Sequence, residues 1–433
     1  MGRGKMRMLP MLAGFALLAT ACPGEEQPPA ATGDLSGQSV EVAAVWVNPE
    51  QERFEMVLDA FAEETGAEVS FTSTGDDLAA VVGPRIEGGD PPDLAVLPQP
   101  GLLQDFAERG ALIPVEEVVG EQIDAGYPDG VREVGTVDDT LYALWFKAAQ
   151  KSTVWYNVNV FNDAGVQPPE SWEELQDVAG TISDFGVAPY SVGAADGWTL
   201  SDLFENTYLT LNGGEMYDQL ATHEIPWTDE SVTNTLTFMS DVIGSDDLIQ
   251  GGTSGALQTD FNTSVTQMFT DPPQGAITFE GSFVGGIITG ETDAQLGTDA
   301  EFFNFPSIEG NPSGVVGGGD LVVMMTDTEA SRALMSFLAT PEAAEIWGAE
   351  GGFISTSSEV DPSTYPDETD RRAAEAMIAA GDAVRYDLSD LQPSEFGATT
   401  GQGIWGLLQE FMRSGDAEGT AEALEDAATR AFR

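Results

Sequence analysis

Apolar and polar positions along the chain follow two periods that take turns. Residues 40–47 read VEVAAVWV, a β-branched run with the short period of a strand. Over residues 49–66, Phe54, Val57, Leu58 and Phe61 fall at i, i+3, i+4 and i+7, the apolar face of a helix that Gly66 stops. AEVSFT at 67–72 predicts the next strand, a helical stretch follows around Leu78 to Ile86, and DLAVL at 93–97 predicts a third strand. This β–α–β–α–β order implies a parallel sheet with helices on its faces, an α/β fold. A short helix over Leu102 to Glu108 ends at Gly110.

Two long extended segments interrupt the alternation. Residues 140–159 (TLYALWFKAAQKSTVWYNVN) and 313–325 (SGVVGGGDLVVMM) read as crossings between separate runs of elements. Between them, Ser171 and Glu174 form a capping-box pattern ahead of a helix whose apolar face is Trp172, Leu175, Val178 and Ile182. Further helices are expected over Ala330 to Leu338, after Thr340-Pro341 with a stop at Gly351-Gly352, over Gly401 to Arg413, and over Ala421 to Phe432.

Composition narrows the chemistry. The chain of 433 residues carries 73 acidic residues against 16 Lys and Arg, a net charge of −57. Nucleic acid is not expected as a partner, because phosphate binding needs a basic surface. The single cysteine, Cys22, excludes an internal disulfide and a Cys-based metal site, and His223 is the one histidine for any His-dependent catalysis. We expect His223 to be exposed, and expect no cofactor and no metal. Arg3, Lys5 and Arg7 precede a short apolar run from Met8 to Ala21, the pattern of a secretory signal over residues 1–21. Leu18-Ala19-Thr20-Ala21-Cys22 resembles the lipobox of bacterial lipoproteins, which implies lipidation of Cys22 and a membrane anchor. Residues 22–38, rich in Pro, Gly and acidic residues, read as a flexible tether.

Six phrases in order resemble one family. They are LDAFAEETGAEV (58–69), the segment from Pro91 through Leu97 to Leu103, TVWYNVNVFNDAGVQPPESW (153–172), AITFEGSF (276–283), GGGDLVV (317–323) and ATPEAAEIWGAEGGFIS (339–355). The chain resembles the extracellular solute-binding proteins of the sugar-binding class that serve ABC importers. Within that class, PQPGLL (98–103), GWTLSDLFENTYL (197–209), EIPWTDESV (224–232), FTDPP (269–273), the GGGD turn and SDLQP (389–393) are similar to α-glucoside-type binders. The resemblance implies a two-lobed, type II periplasmic-binding-protein-like fold, each lobe a mainly parallel sheet flanked by helices, with ligand in the cleft. It implies lobe 1 from residues 39–148 and 318–369, and lobe 2 from 149–317 and 370–433. Hinges are expected at Ala148–Ser152, Gly314–Asp320 and Asp367–Arg372. It further implies a lipid-anchored monomer on the outer face of the membrane, a small-molecule sugar as ligand and the importer's permease subunits as partners, and no enzymatic activity.

A pyranose offers apolar C–H faces to aromatic rings and a rim of hydroxyls to carboxylates and amides. The candidates for stacking are Trp46, Trp155, Trp198, Phe283 and Trp405. For the rim they are Glu50, Asp76, Gln99, Lys151, Asp196, Glu280, Asp320 and Asp390. Trp155 and Tyr156 are neighbours on a strand, so only one of them can face the cleft. Trp172 and Trp347 fit helix core stripes. Lys147 and Lys151, four residues apart beside a crossing, suit local charge compensation, with Lys151 as a hydroxyl donor the sharper alternative. Two other readings stay open: a polyamine or other cation receptor on the same fold, and a secreted glycoside hydrolase, for which a carboxylate pair would be needed.

Overall fold

The computed structural model describes residues 33–433 except Ala398. The expected signal, Cys22 and most of the tether lie outside the described residues. The described end of the tether segment is docked. Leu35 is buried in the core and its N–H donates to the Thr65 carbonyl at 2.8 Å.

The first periodicities fold as their spacing dictates. The strand Ser39–Ala44 is followed by the helix Glu50–Thr65, which buries Phe54, Val57, Leu58 and Phe61. Gly66 closes that helix at φ 73°, a left-handed position that favours glycine. The strands Glu68–Ser73 and Leu94–Leu97 pair in parallel on either side of Ser39–Ala44. The larger sheet runs in the order Ile354–Ser355, Ala143–Gln150, Val315–Met324, Leu94–Leu97, Ser39–Ala44, Glu68–Ser73, and Val384–Tyr386 also pairs with Val315–Met324. The smaller sheet runs Ala300–Asn304, Thr153–Asn157, Gly275–Phe279, Ala188–Tyr190.

The sheets are mixed rather than mainly parallel. The parallel pairs are the βαβ members, and the strands that carry the chain between the sheets pair antiparallel. A strand that runs from one sheet to the other and returns without a helical crossover has to pair this way.

The first crossing lies where expected in the chain, with Ala143–Gln150 in the larger sheet and Thr153–Asn157 in the smaller. On the second, Val315–Met324 enters the larger sheet after Ala300–Asn304 leaves the smaller. The third passage falls later than residues 367–372. Those residues open the helix Glu368–Ala380, whose Ala373 and Ala374 pack with the larger sheet. Val384–Tyr386 still belongs to that sheet, and Leu388 is the first residue to join the core of the smaller one. A helix and a strand edge were hidden in a stretch without strong periodicity.

The Ser171 hydroxyl caps Glu174 N–H at 3.2 Å, but the Glu174 carboxylate reaches back to Glu170 N–H at 2.9 Å, one residue beyond the usual capping-box partner. His223 is not exposed: its ring lies between Glu425, at 3.2 Å, and Phe432. Among the described residues no helix is long and apolar enough to cross a membrane.

Candidate functional site

A cavity of about 360 Å³ lies between the two sheets. Its wall on the larger sheet comes from chain following strand ends: Trp46 and Glu50 after Ser39–Ala44, Asp76 in the turn Gly75–Asp77, and Gln99 ahead of the helix Pro100–Glu108. Ligand sites in open α/β sheets lie beyond the carboxyl ends of their strands for the same reason, because the chain leaves the sheet there. Asp320 is placed by a register shift between Asp320 and Leu321. Gly319 beside it has φ 148°, and a Cβ there would stand 2.0 Å from the Lys147 carbonyl, so only glycine lets the two strands approach.

The second wall is carried mainly by helix starts and loops. Trp198 opens the helix Trp198–Ala221, Phe261 opens Phe261–Thr266, and Trp405 lies in the first turn of Gly403–Ser414. Trp198, Phe261 and Phe283 form an edge-to-face cluster with centroids 5.0 to 6.0 Å apart. Such a cluster presents flat apolar surface with few rotamers to lose.

The two lysines of the described chain are built into these walls. Lys147, 4% exposed, reaches Glu50 at 2.6 Å and Asp320 at 3.6 Å, and its ammonium lies 5.4 to 5.9 Å from the rings of Trp46, Phe283 and Trp347. Trp46 Nε1 donates to Asp320 at 3.3 Å. Burial alone would lower the Lys147 pKa, but Glu50 and Asp320 carry it above the ordinary value. Burial pushes Asp320 up to about 6 against the pull of Lys147. Lys151 contacts Asp387, Asp202 at 3.3 Å and Asp390 at 3.7 Å, with Trp198 6.0 Å from its ammonium. Asp76 faces the cavity with its carboxyl pushed up to about 6, first by the surrounding protein and then by Asp196.

Trp46, Glu50, Asp76, Gln99, Lys151, Asp196, Trp198, Phe283, Asp320, Asp390 and Trp405 thus line one cavity from its two walls. Two candidates stand elsewhere. Trp155 is 1% exposed; its Nε1 donates to the Gly281 carbonyl at 3.0 Å and its ring packs on Phe302, so no face of it meets the cavity. Its neighbour Tyr156 packs in the opposite core, so neither strand residue reaches the cleft. Glu280 is 3% exposed and does not line the cavity, and its Oε2 is sealed from solvent. Sequence reasoning missed Asp202, Asp387 and Phe261. A signal existed: Trp198, Asp202 and Glu205 fall at i, i+4 and i+7 on one helix face.

The closed arrangement is held at the rims. Asn262 Nδ2 donates to the Asn48 carbonyl at 3.0 Å, Arg53 Nη2 to Thr289 Oγ1 at 3.1 Å, Gly101 N–H to the Asp390 carbonyl at 2.9 Å, and the Ser394 hydroxyl to Asp105. In each of these the two partners come from opposite walls.

Residues 48–345, most of the chain, match the family described as bacterial extracellular solute-binding protein. The chain belongs to that family. Across it, identity to the osmoprotective compounds-binding protein GgtB of Synechocystis sp. is 32% over 412 residues, covering 93% of this chain and 94% of the relative. Identity to the alpha-glucosides-binding periplasmic protein AglE of Rhizobium meliloti is also 32%, over 397 residues, covering 88% and 84%. The solved structure of the bacterial solute receptor AcbH superposes with a TM-score of 0.80 at 19% identity, covering 93% of this chain and all of that one. The fold of this solute-binding protein is therefore the two-lobed, type II arrangement, with the cavity in the position of the interlobe cleft.

Proposed function

We propose that the protein is the sugar receptor of an ABC importer, and that it captures a short, neutral α-glucoside-type ligand by closing two lobes around it. The observation that carries this reading is a cavity walled on both sides by aromatic rings and by carboxylates that face two buried lysines. Rings of Trp198, Phe283 and Trp405 suit the C–H faces of a pyranose. Asp76, Asp202, Asp320 and Asp390 with Lys151 suit its hydroxyls, since charge-assisted hydrogen bonds are the strong ones. The volume is near the lower end of the range of about 300–1,000 Å³ for small-ligand pockets, which favours one or two sugar rings over an extended glucan. The names of GgtB and AglE point toward osmoprotective compounds and α-glucosides.

A ligand touching both walls stabilises the closed form over the open one, and a ligand touching one wall would not. The closed receptor then delivers to the membrane permease. Lipidation of Cys22 would keep it beside that permease at high local concentration. The protein is a receptor without turnover of its own.

Thermal melting of the mature protein against trehalose, sucrose, maltose, longer α-glucans, xylose oligomers and spermidine tests this. A ligand that binds only the native state raises the melting point with its concentration. The expected result is a shift with a short α-glucoside, and no product by chromatography. The excess of carboxylates on the wall favours the cation-receptor reading, so a shift with spermidine alone would replace the sugar assignment. Released monosaccharide would overturn the receptor without turnover. Mass spectrometry of the membrane-extracted protein tests the anchor, which predicts a diacylglyceryl group on Cys22.

A further inference from the structure

Five carboxyl groups crowd the ammonium of Lys151. Asp202 and Glu205 project from one face of the helix Trp198–Ala221, Asp387 and Asp390 from the third passage, and Glu280 from just beyond the strand Gly275–Phe279. None is more than 7% exposed. Five of their ten oxygens have donors at hydrogen-bond distance. Lys151 bonds both Asp202 and Asp387. The other Asp387 oxygen accepts the Ser389 hydroxyl at 2.8 Å and the Asp390 N–H at 3.0 Å. Glu205 accepts the N–H groups of Leu388 and Ser389 at 2.9 and 3.0 Å. Among the oxygens without a donor, two are also fully buried. Asp202 Oδ2 and Glu280 Oε2 are sealed from solvent and have no N–H or hydroxyl donor. The two carboxyls are neighbours: after burial, the Asp202 charge does most to raise Glu280. Two buried carboxylates in contact cannot both be ionised, and one proton between them gives both orphan oxygens a partner.

We propose that Asp202 and Glu280 share one proton, and that Glu280 is thereby a positioning residue for the ligand site: as the neutral acid it holds Asp202 against Lys151. Asp202 and Lys151 line the cavity, and Glu280 acts on the ligand only through them. This consequence for ligand rests on the sugar-receptor reading; the shared proton does not. A divalent cation is the competing occupant, since ligand oxygens of Asp202, Glu205 and Asp387 lie within 4.8 Å of one another. It would have to compete with Lys151 for Asp202 and Asp387 and with two backbone N–H groups for Glu205, whereas a proton displaces nothing. Burial, with Lys151 opposing it, raises Asp202 to about 7, and burial reinforced by Asp202 raises Glu280 well above the carboxylate range. The other groups facing the pair are Asp387, Asp390 and Glu205, the Tyr217 phenol on Glu205, and Asp196.

The folded state holds a proton that the unfolded chain releases above about pH 4. The pair's contribution to stability is therefore greatest at low pH and falls as pH rises toward the pair's folded value. The test is thermal melting of the mature protein from about pH 5 to about pH 8.5 at high salt, for the wild type, Glu280→Gln, Asp202→Asn and the double variant. Either single substitution should flatten the fall in melting temperature. Glu280→Gln should melt several degrees above the wild type at the alkaline end. The double variant should be no flatter than the singles, because one proton is shared. For a panel sugar that binds, Glu280→Ala should lose about tenfold in affinity and Glu280→Gln should restore most of it. A pH slope in Glu280→Gln and Asp202→Asn equal to that of the wild type would overturn the proposal. So would a rise in melting temperature with calcium chloride that Asp202→Asn abolishes, which would put a cation in the proton's place. If no panel sugar shifts the melt while the slopes behave as expected, the sugar reading fails and the shared proton stands.

Discussion

Lys147 shows how much one side chain can organise. It neutralises Glu50 and Asp320, it sits among three aromatic rings, and it is almost wholly buried. Removing one member of a buried ion cluster leaves the others uncompensated, at a cost of about 3–5 kcal/mol. Lys147→Met should lower denaturant-measured stability by that order, and adding Asp320→Asn should recover part of the loss; a Lys147→Met protein as stable as the wild type would mean the cluster is held by something else. At this scale the sequence was informative where chemistry stood in loops. Trp198, Asp320 and Trp405 sit beside glycines, and Gly197, Gly319 and Gly403 each have a backbone approach that a Cβ would block. For Asp202 and Glu205 the helical spacing from Trp198 was the one signal, and it does not tell a buried acidic face from a solvated one. In fact residues 199–210 are buried throughout, and their helix packs mainly on the helices Glu230–Ile243 and Gly403–Ser414.

Among elements, the contact that decides closure is made by glycines. The helix Val284–Glu291 presents Gly286 to Gly352 on the opposite side of the cleft. A Cβ on Gly286 would stand 2.4 Å from Arg53 Nη1 and 3.2 Å from Gly352 Cα, and one on Gly352 would stand 2.7 Å from Gly286 Cα. Arg53 crosses the same seam to Thr289, and Asp370, pushed up to about 7 by burial, accepts the Gly352 N–H at 3.3 Å. Gly286→Val should hold the lobes apart. Small-angle scattering should then show a larger radius of gyration in saturating ligand than the wild type shows, with affinity down by at least tenfold and the cavity wall untouched. Contraction equal to the wild type would show that the seam yields. The elements themselves were largely legible, since periodicity and caps bracket Glu50–Thr65, Trp172–Phe185 and Pro341–Gly348 to within a residue or two. The third passage was not. Whether Glu368–Ala380 packs on one sheet or the other depends on partners such as Ile354 and Ala148 that no local pattern names.

Over the whole molecule, acidic groups far outnumber basic ones. The net charge of −57 is spread over a surface that repels itself and that salt screens. Against that background Lys147 and Lys151 stand apart, because the fold draws both lysines of the described chain into the interlobe wall. The outer surface of the described chain is consequently almost blank to reagents that acylate primary amines. A brief pulse of such a reagent, followed by peptide mapping, should mark Lys147 and Lys151 only in molecules whose lobes have parted, and ligand should protect both together. Equal labelling with and without ligand would mean the lysines are reached without opening. The receptor thus carries its own conformational clock: the acylation rate at two internal amines counts how often the jaws come apart.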